Sequence, residues 1–159
     1  MLCLGVIWNH SIKFKDEILD DMREYVLIDT YFEMDLNEKF ENFVYEIYYN
    51  EEKFKIEKKY NSMKDMEDKK ICVVIFEFDE NDIVYNEFKK KNVYKKLDAM
   101  KYFIRTKYSN FVDNYVFDNV FHCTDDEEEF LENLKTIFKY LDCTTNVKGV
   151  NESGYVFKK

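Results

Sequence analysis

The stretch ICVVIFEF, residues 71–78, constrains the fold more than any other feature of this chain. Apolar, β-branched and aromatic side chains follow one another there without the alternation of a half-exposed strand. The segment is therefore expected to be a central strand, covered on both faces. LCLGVIW (2–8) is a second short apolar run and reads as a buried strand. YVLIDTYFEM (25–34), rich in β-branched and aromatic residues, reads as a third. NVFH (119–122) is a short final strand.

Between these runs the period changes. Ser11 offers an N-cap to IKFKDEILDDMREY, where Ile12, Ile18, Leu19 and Met22 fall near helical spacing. In LNEKFENFVYEIYY, Leu36, Phe40, Phe43, Val44 and Ile47 recur at three and four, which predicts a helix with one buried face. Residues 51–70 are mostly charged, with Phe54, Ile56 and Tyr60 as apolar anchors. They predict a short helix, a solvated face over EEKFKIEKK, and an exposed loop. Helices are expected over 80–90 and 95–107, followed by an aromatic-rich connection, SNFVDNYVFD. In DDEEEFLENLKTIFKYL, Phe130, Leu134, Ile137, Phe138 and Leu141 mark one stripe, and the acids fill the first turn, where the helix dipole favours them. The domain is expected to span 1–143, with 144–159 a loose C-terminal tail. Four strands alternating with helices predict an α+β fold, a four-stranded antiparallel sheet covered by helices. The ferredoxin-like arrangement is the commonest solution of that kind.

A chain of 159 residues, 46% of them hydrophobic, supports one domain with a real core. Its net charge of −9, with no dense Lys/Arg stripe, argues against nucleic acid as a partner. A phosphate-bearing small molecule would have to be held by a few placed cations, and Arg23 and Arg105 are the only arginines. No stretch approaches the length needed to span a bilayer, so no membrane partner is expected. MLCLGVIW has no basic leader, and Cys3, Cys72, Cys123 and Cys143 form no C-x-x-C pair. The expectation is a cytoplasmic protein with reduced thiols. Cys3, His10, His122 and Cys123 match no zinc-ligand spacing.

The chemistry concentrates in NVFHCTDDEEEF, residues 119–130, which carries one of only two histidines at a strand-to-helix junction. The plain reading is that His122 closes a strand and Asp125 or Asp126 caps a helix. The sharper reading is a nucleophile. A neutral imidazole can attack near pH 7 and hold a phosphoryl group covalently, provided one ring nitrogen is oriented and cations or N–H donors face the phosphate. Arg105 ends a helical run beside which the NVFH strand is expected, and it supplies the cation. Thr124 offers a hydroxyl and Asn119 an amide. Cys123 is a second, weaker nucleophile candidate. Trp8 reads as core or pocket wall, His10 as a turn residue, and DDEEE as helix-dipole acids rather than a divalent-ion site.

The same stretch resembles the active-site segment of nucleoside diphosphate kinases, N-x-x-H-G-S-D followed by a helix. Asn119, His122, Thr124 and Asp125 fall on its Asn, His, Ser and Asp, and Cys123 stands at its glycine. YFIRTKYSN resembles the family's G-T-I-R-x-D-[FY] segment through Ile104, Arg105 and Tyr108. LGVIWNHS resembles its first strand and turn, and KICVVIFEFDEND a strand ending in an acidic turn. The element order agrees over about residues 2–140. The resemblance implies a ferredoxin-like sheet and a ping-pong phosphotransfer through phosphohistidine at His122. The donor would be a magnesium-bound nucleoside triphosphate such as ATP, the acceptor unknown, and Mg²⁺ would arrive with the nucleotide. Arg105 and Thr124 would support phosphate oxygens, Asn119 would face sugar or phosphate, and the chain would form a homo-oligomer.

The departures are specific. Trp8, Asn9 and His10 stand where the family has K-P-D with a phosphate-binding lysine. Asn133, beside Glu132, stands where an acid orients the family's histidine. The family's threonine and second arginine have no match, although Lys89 or Lys90 could replace the arginine, and the connection from Arg105 to His122 is longer. These departures imply an altered phosphate or acceptor site. The alternative is a catalytically silent domain of the same fold that binds a nucleotide or a protein. A third reading is a small regulatory domain whose histidine has no chemistry.

Overall fold

β3 (Lys70–Glu77), the segment of the apolar run, is hydrogen-bonded on both sides. On one side β1 (Leu2–Ile7) runs antiparallel to it, from Leu2 opposite Glu77 to Ile7 opposite Cys72. On the other, β2 (Leu27–Asp35) also runs antiparallel, from Leu27 opposite Glu77 to Asp35 opposite Lys70. The computed structural model describes residues 1–112, 114–116 and 119–141, together with the backbone of Val147–Asn151 and Val156–Lys158.

The helices are α1 (Lys15–Arg23), α2 (Phe40–Ile47), α3 (Lys53–Met63), α4 (Lys95–Ser109) and α5 (Glu127–Leu141). Single 3-10 turns at Ile12–Phe14 and Asn37–Lys39 lead into α1 and α2. A small hairpin, β4 (Ile83–Asn86) with β5 (Lys91–Tyr94), precedes α4. The short β6 (Phe121–Cys123) pairs antiparallel with the outer edge of β1. The core order β6-β1-β3-β2 is the ferredoxin-like four-stranded antiparallel sheet.

Helices cover both faces of the sheet, which is why β1 and β3 are apolar without alternation. Cys3, Ile7, Cys72, Val74 and Phe76 face one cluster with Ile18, Leu19 and Met22 of α1 and Leu97, Met100 and Ile104 of α4. Leu4, Val6, Ile71 and Val73 face the other, with Phe40, Phe43 and Val44 of α2, Ile56 of α3, and Phe130 and Ile137 of α5. Trp8 belongs to the second cluster and is fully buried. No helix among the described residues is long and apolar enough to cross a membrane.

Four expectations differ from this architecture. Residues 80–90 are not helical: Ile83, Val84 and Tyr85 are consecutive β-formers that pair with Tyr94, Val93 and Asn92. The connecting turn is closed by Lys89 N donating to Asn86 Oδ1 (3.0 Å), with Lys90 in the left-handed region at φ 53°. Ser11 makes no side-chain cap, because its hydroxyl donates to the Val120 carbonyl at 2.6 Å and ties the end of β1 to the lead into β6. The run EEKFKIEKK is not wholly solvated, since Lys59 is buried and paired with Glu51 at 2.6 Å. Finally, part of the expected loose tail extends the sheet. β7 (Val147–Asn151) pairs with β2, and β8 (Val156–Lys158) pairs with β7. Cys143 lies outside the described residues, while Cys3, Cys72 and Cys123 are free thiols.

Candidate functional site

β6 is only three residues long, and its alternation decides what faces the site. Phe121 and Cys123 join the cluster under α1 and α4, so His122, opposite Val6, turns to the face of α2 and α5. Gly5 lies beneath this strand, and a Cβ there would stand 2.7 Å from the Phe121 ring. The glycine makes room for the Phe121 ring over β1.

His122 is nearly buried, and its Nε2 lies 2.7 Å from Asn133 Oδ1. Asn133 Nδ2 donates to the Ile47 carbonyl at 3.0 Å. A carbonyl only accepts, so Asn133 must offer its amide nitrogen to Ile47 and its oxygen to the imidazole. Nε2 therefore carries a hydrogen, and in the neutral ring the lone pair sits on Nδ1. The Tyr48 ring stands edge-on to the imidazole, centroids 4.9 Å apart, and its hydroxyl accepts from Trp8 Nε1 at 3.1 Å. The Lys59 ammonium lies 4.0 Å from the Tyr48 ring centroid. The histidine is thus held by an amide and an aromatic wall, each anchored in turn.

A cleft of about 160 Å³ opens at His122. Lys89, Lys101 and Arg105 bring three cations to it, against Glu51, Asp125 and Glu129. Arg105 reaches it from the penultimate turn of α4, where its Nε donates to the Phe121 carbonyl at 3.0 Å. Lys101, one turn earlier, is buried, in direct contact with Asp125 and 3.3 Å from Asp98. Lys89 of the hairpin turn lies 3.7 Å from Asp125 and 3.6 Å from Asp98. Burial pushes the Asp125 carboxyl up, but Lys101, then Lys89 and Lys91, outweigh it and hold it below its ordinary value. Burial likewise opposes the Lys101 ammonium, and neighbouring Cys123 and Asp125 outweigh that, leaving it above its ordinary value.

Of the four residues singled out in the sequence, the fold brings Arg105 and His122 together at the cleft and leaves Asn119 and Thr124 outside its lining. Asn119 is fully buried, and its amide donates to Ser62 Oγ (3.0 Å) and to the Asn114 carbonyl (3.2 Å). Thr124 continues the β1–β6 ladder: its N donates to the Leu4 carbonyl (2.9 Å), and its hydroxyl accepts from Leu4 N (3.0 Å). Both side chains make bonds that hold β6 in place. The Cys123 thiol is pushed well above its ordinary value by burial, and the Cys3 thiol is pushed up to about 12, so neither is a thiolate nucleophile near neutrality. Asp126 Oδ1 accepts from Glu129 N at 2.9 Å, and Glu129 Oε2 accepts from Asp125 N at 2.7 Å, a reciprocal cap on α5. Where the family's K-P-D would stand, Trp8 takes the lysine's place, buried with its Nε1 on the Tyr48 hydroxyl, and Asn9 donates to the carbonyls of Met63 (3.3 Å) and Asp68 (2.9 Å). Among the described residues no group of three or more His, Cys, Asp or Glu side chains is placed to hold a metal ion.

Sequence reasoning missed Lys101, Tyr48 and the Glu51–Lys59 pair. A signal existed for both lysines. Lys101 falls four residues after Leu97 and three before Ile104, on the buried stripe of α4, and Lys59 falls three after Ile56 on that of α3.

No family model matches the sequence, and no curated protein matches it either. Among solved structures the chain is similar to one described as a transition state mimic of nucleoside-diphosphate kinase from Borrelia burgdorferi with bound vanadate and ADP. The TM-score is 0.50 at 12% identity, covering 86% of this chain and 85% of that one. At that identity the likeness is one of fold: this chain has a nucleoside-diphosphate-kinase-like fold, with His122 and Arg105 at one cleft.

Proposed function

We propose that the protein is a phosphotransferase that works through a phosphohistidine at His122, with a nucleoside triphosphate as donor. The observation that carries this reading is the Asn133 contact, which holds hydrogen on Nε2 and so leaves the lone pair to Nδ1 of a histidine that lines the cleft. The Nδ1 lone pair attacks the γ-phosphorus, the bond to the bridging oxygen breaks, and the nucleoside diphosphate leaves with that electron pair. In the second half an acceptor oxygen attacks phosphorus and the N–P bond breaks, returning the pair to Nδ1. Arg105 and Lys101 face the transferring oxygens, Lys101 by exchanging Asp125 for phosphate. Magnesium belongs to the substrate, carried on the triphosphate.

The test is incubation with magnesium and γ-labelled nucleoside triphosphate, beside His122→Ala, with a search for acid-labile, alkali-stable label. Label on the wild type alone is the expected result. Absence of label with all four bases sinks the reading. A second reading is a silent nucleotide- or protein-binding domain. It is favoured by one observation, that Asn119 and Thr124 serve the β6 scaffold rather than the cleft. Triphosphate binding without label would select it. A homo-oligomer in the cytoplasm is part of the proposal, and sedimentation checks the assembly.

A further inference from the structure

Lys59 is a buried cation that the transfer steps leave unused. Its ammonium donates to both oxygens of the Glu51 carboxylate, at 2.7 and 2.6 Å, and lies 4.0 Å from the centre of the Tyr48 ring. The imidazole of His122 packs on the same ring, centroids 4.9 Å apart. The ammonium is therefore at most about 9 Å from the imidazole centre, a range over which charges interact strongly where water is excluded. Water is excluded here, since Lys59 is 3% exposed and Tyr48 1%.

Glu51 lines the histidine cleft and Lys59 does not. The other charged and titratable groups around the imidazole come from every element that packs on it. Lys101 and Arg105 belong to α4, Lys89 to the hairpin, Cys123 to β6, and Asp125 and Glu129 to the start of α5, with Tyr49 beside Tyr48. Lys101 and Lys89 are engaged by Asp125 and Asp98, and Glu129 accepts from Asp125 N and Asn50 Nδ2. Glu51 is thus the cleft carboxylate whose charge is answered from behind the wall. Left unanswered, that charge would favour a protonated imidazole and repel a triphosphate.

We propose that Lys59 is a positioning residue for the phosphotransfer. It fixes Tyr48 against the imidazole and cancels the Glu51 charge, so that His122 meets an anionic donor as a neutral nucleophile. This role rests on the phosphohistidine reading.

The test joins a titration to a rate. In the titration, the His122 imidazole C–H resonance, identified by its loss in His122→Ala, is followed by NMR against pH. Lys59→Met leaves the Glu51 charge alone and is expected to move the midpoint up by about half a pH unit or more. Glu51→Gln leaves the ammonium and is expected to move it down by about as much, while Lys59→Arg keeps the charge and the wild-type midpoint. In the rate, labelling of Lys59→Met from γ-labelled triphosphate is expected to show a pH profile displaced upward. Its half-saturating triphosphate concentration is expected to rise about threefold or more. A packing defect would move both variants alike, so midpoints that stay in place, or that move the same way in Lys59→Met and Glu51→Gln, overturn the proposal. The titration needs no phosphotransfer. Label on the wild type with unmoved midpoints would overturn this role alone, whereas opposite shifts without label would overturn the phosphohistidine reading and this role with it.

Discussion

At His122 an uncharged amide occupies the place where the resemblance expects an acid. Asn133 orients the ring as a carboxylate would, through a 2.7 Å contact to Nε2, but adds no negative charge behind an imidazole that would become positive during the proposed transfer. Asn133→Leu removes the acceptor and leaves the Ile47 carbonyl without its donor. Labelling at His122 is expected to fall by about 100-fold, with about 1–3 kcal/mol of stability lost; a label time course and a denaturant melt check the two. The neighbouring ion pair gives a pH signature. The Asp125 carboxyl is held below its ordinary 3.8, so its contribution to stability is fully present above that value and is lost as pH falls below it. Lys101, held above its ordinary 10.5, contributes fully below that value and loses its contribution as pH rises through the raised value. The difference in Tm between wild type and Asp125→Asn is therefore expected to be largest near neutrality and to shrink below pH 3.8. A difference that stays constant down to acid pH would contradict this account.

The element that matters most is β6, three residues carrying the histidine between a threonine bonded to Leu4 and an asparagine bonded to Ser62. A strand this short has little pairing of its own, so its position depends on those side-chain bonds and on the close seat over Gly5. The next element, α5, brings Asn133 to the ring only if its first turn starts in the right place. The Asp126–Glu129 cap sets that start. Asp126→Ala is expected to cost about 1 kcal/mol, read as a lower Tm with the labelling rate reduced less than in Asn133→Leu. The β4–β5 hairpin is the other decisive element. It carries Lys89 and Lys91 to Asp125 and so brings Lys89 to the cleft from outside the main sheet.

Across the whole molecule, the site and the C-terminal strands lie at opposite ends of the sheet. β6 and β7 are separated by β1, β3 and β2, four strand spacings or roughly 19 Å. Truncation after Leu141 is therefore expected to leave the labelling rate unchanged while uncovering the edge of β2, which sedimentation would register as increased self-association. A loss of label on truncation would mean that the tail contributes to the site through contacts other than the sheet ladder.

Local periodicity by itself determined the strands at β1, β2 and β3 and the helical stripes of α2 and α5, because burial on one or two faces leaves a repeat of two, of 3.6, or none; the alternation of strands and helices then pointed to a ferredoxin-like arrangement. The residue types in NVFHCTDDEEEF and YFIRTKYSN, and the resemblance they carry, pointed to His122 and Arg105. The tertiary structure alone decided which polar groups meet. Asn119 finds the Ser62 hydroxyl across 57 residues, and Thr124 finds Leu4 N across 120. Lys59 and Lys101 fall on the buried stripes of α3 and α4, and only the packing of those helices decided that Glu51 and Asp125 would meet them. Residues 80–90 became a hairpin because β4 had β5 to pair with, and a strand partner is not a local property. Pattern fixes which side chains need burial; the partner of each buried polar atom depends on which strands and helices lie side by side.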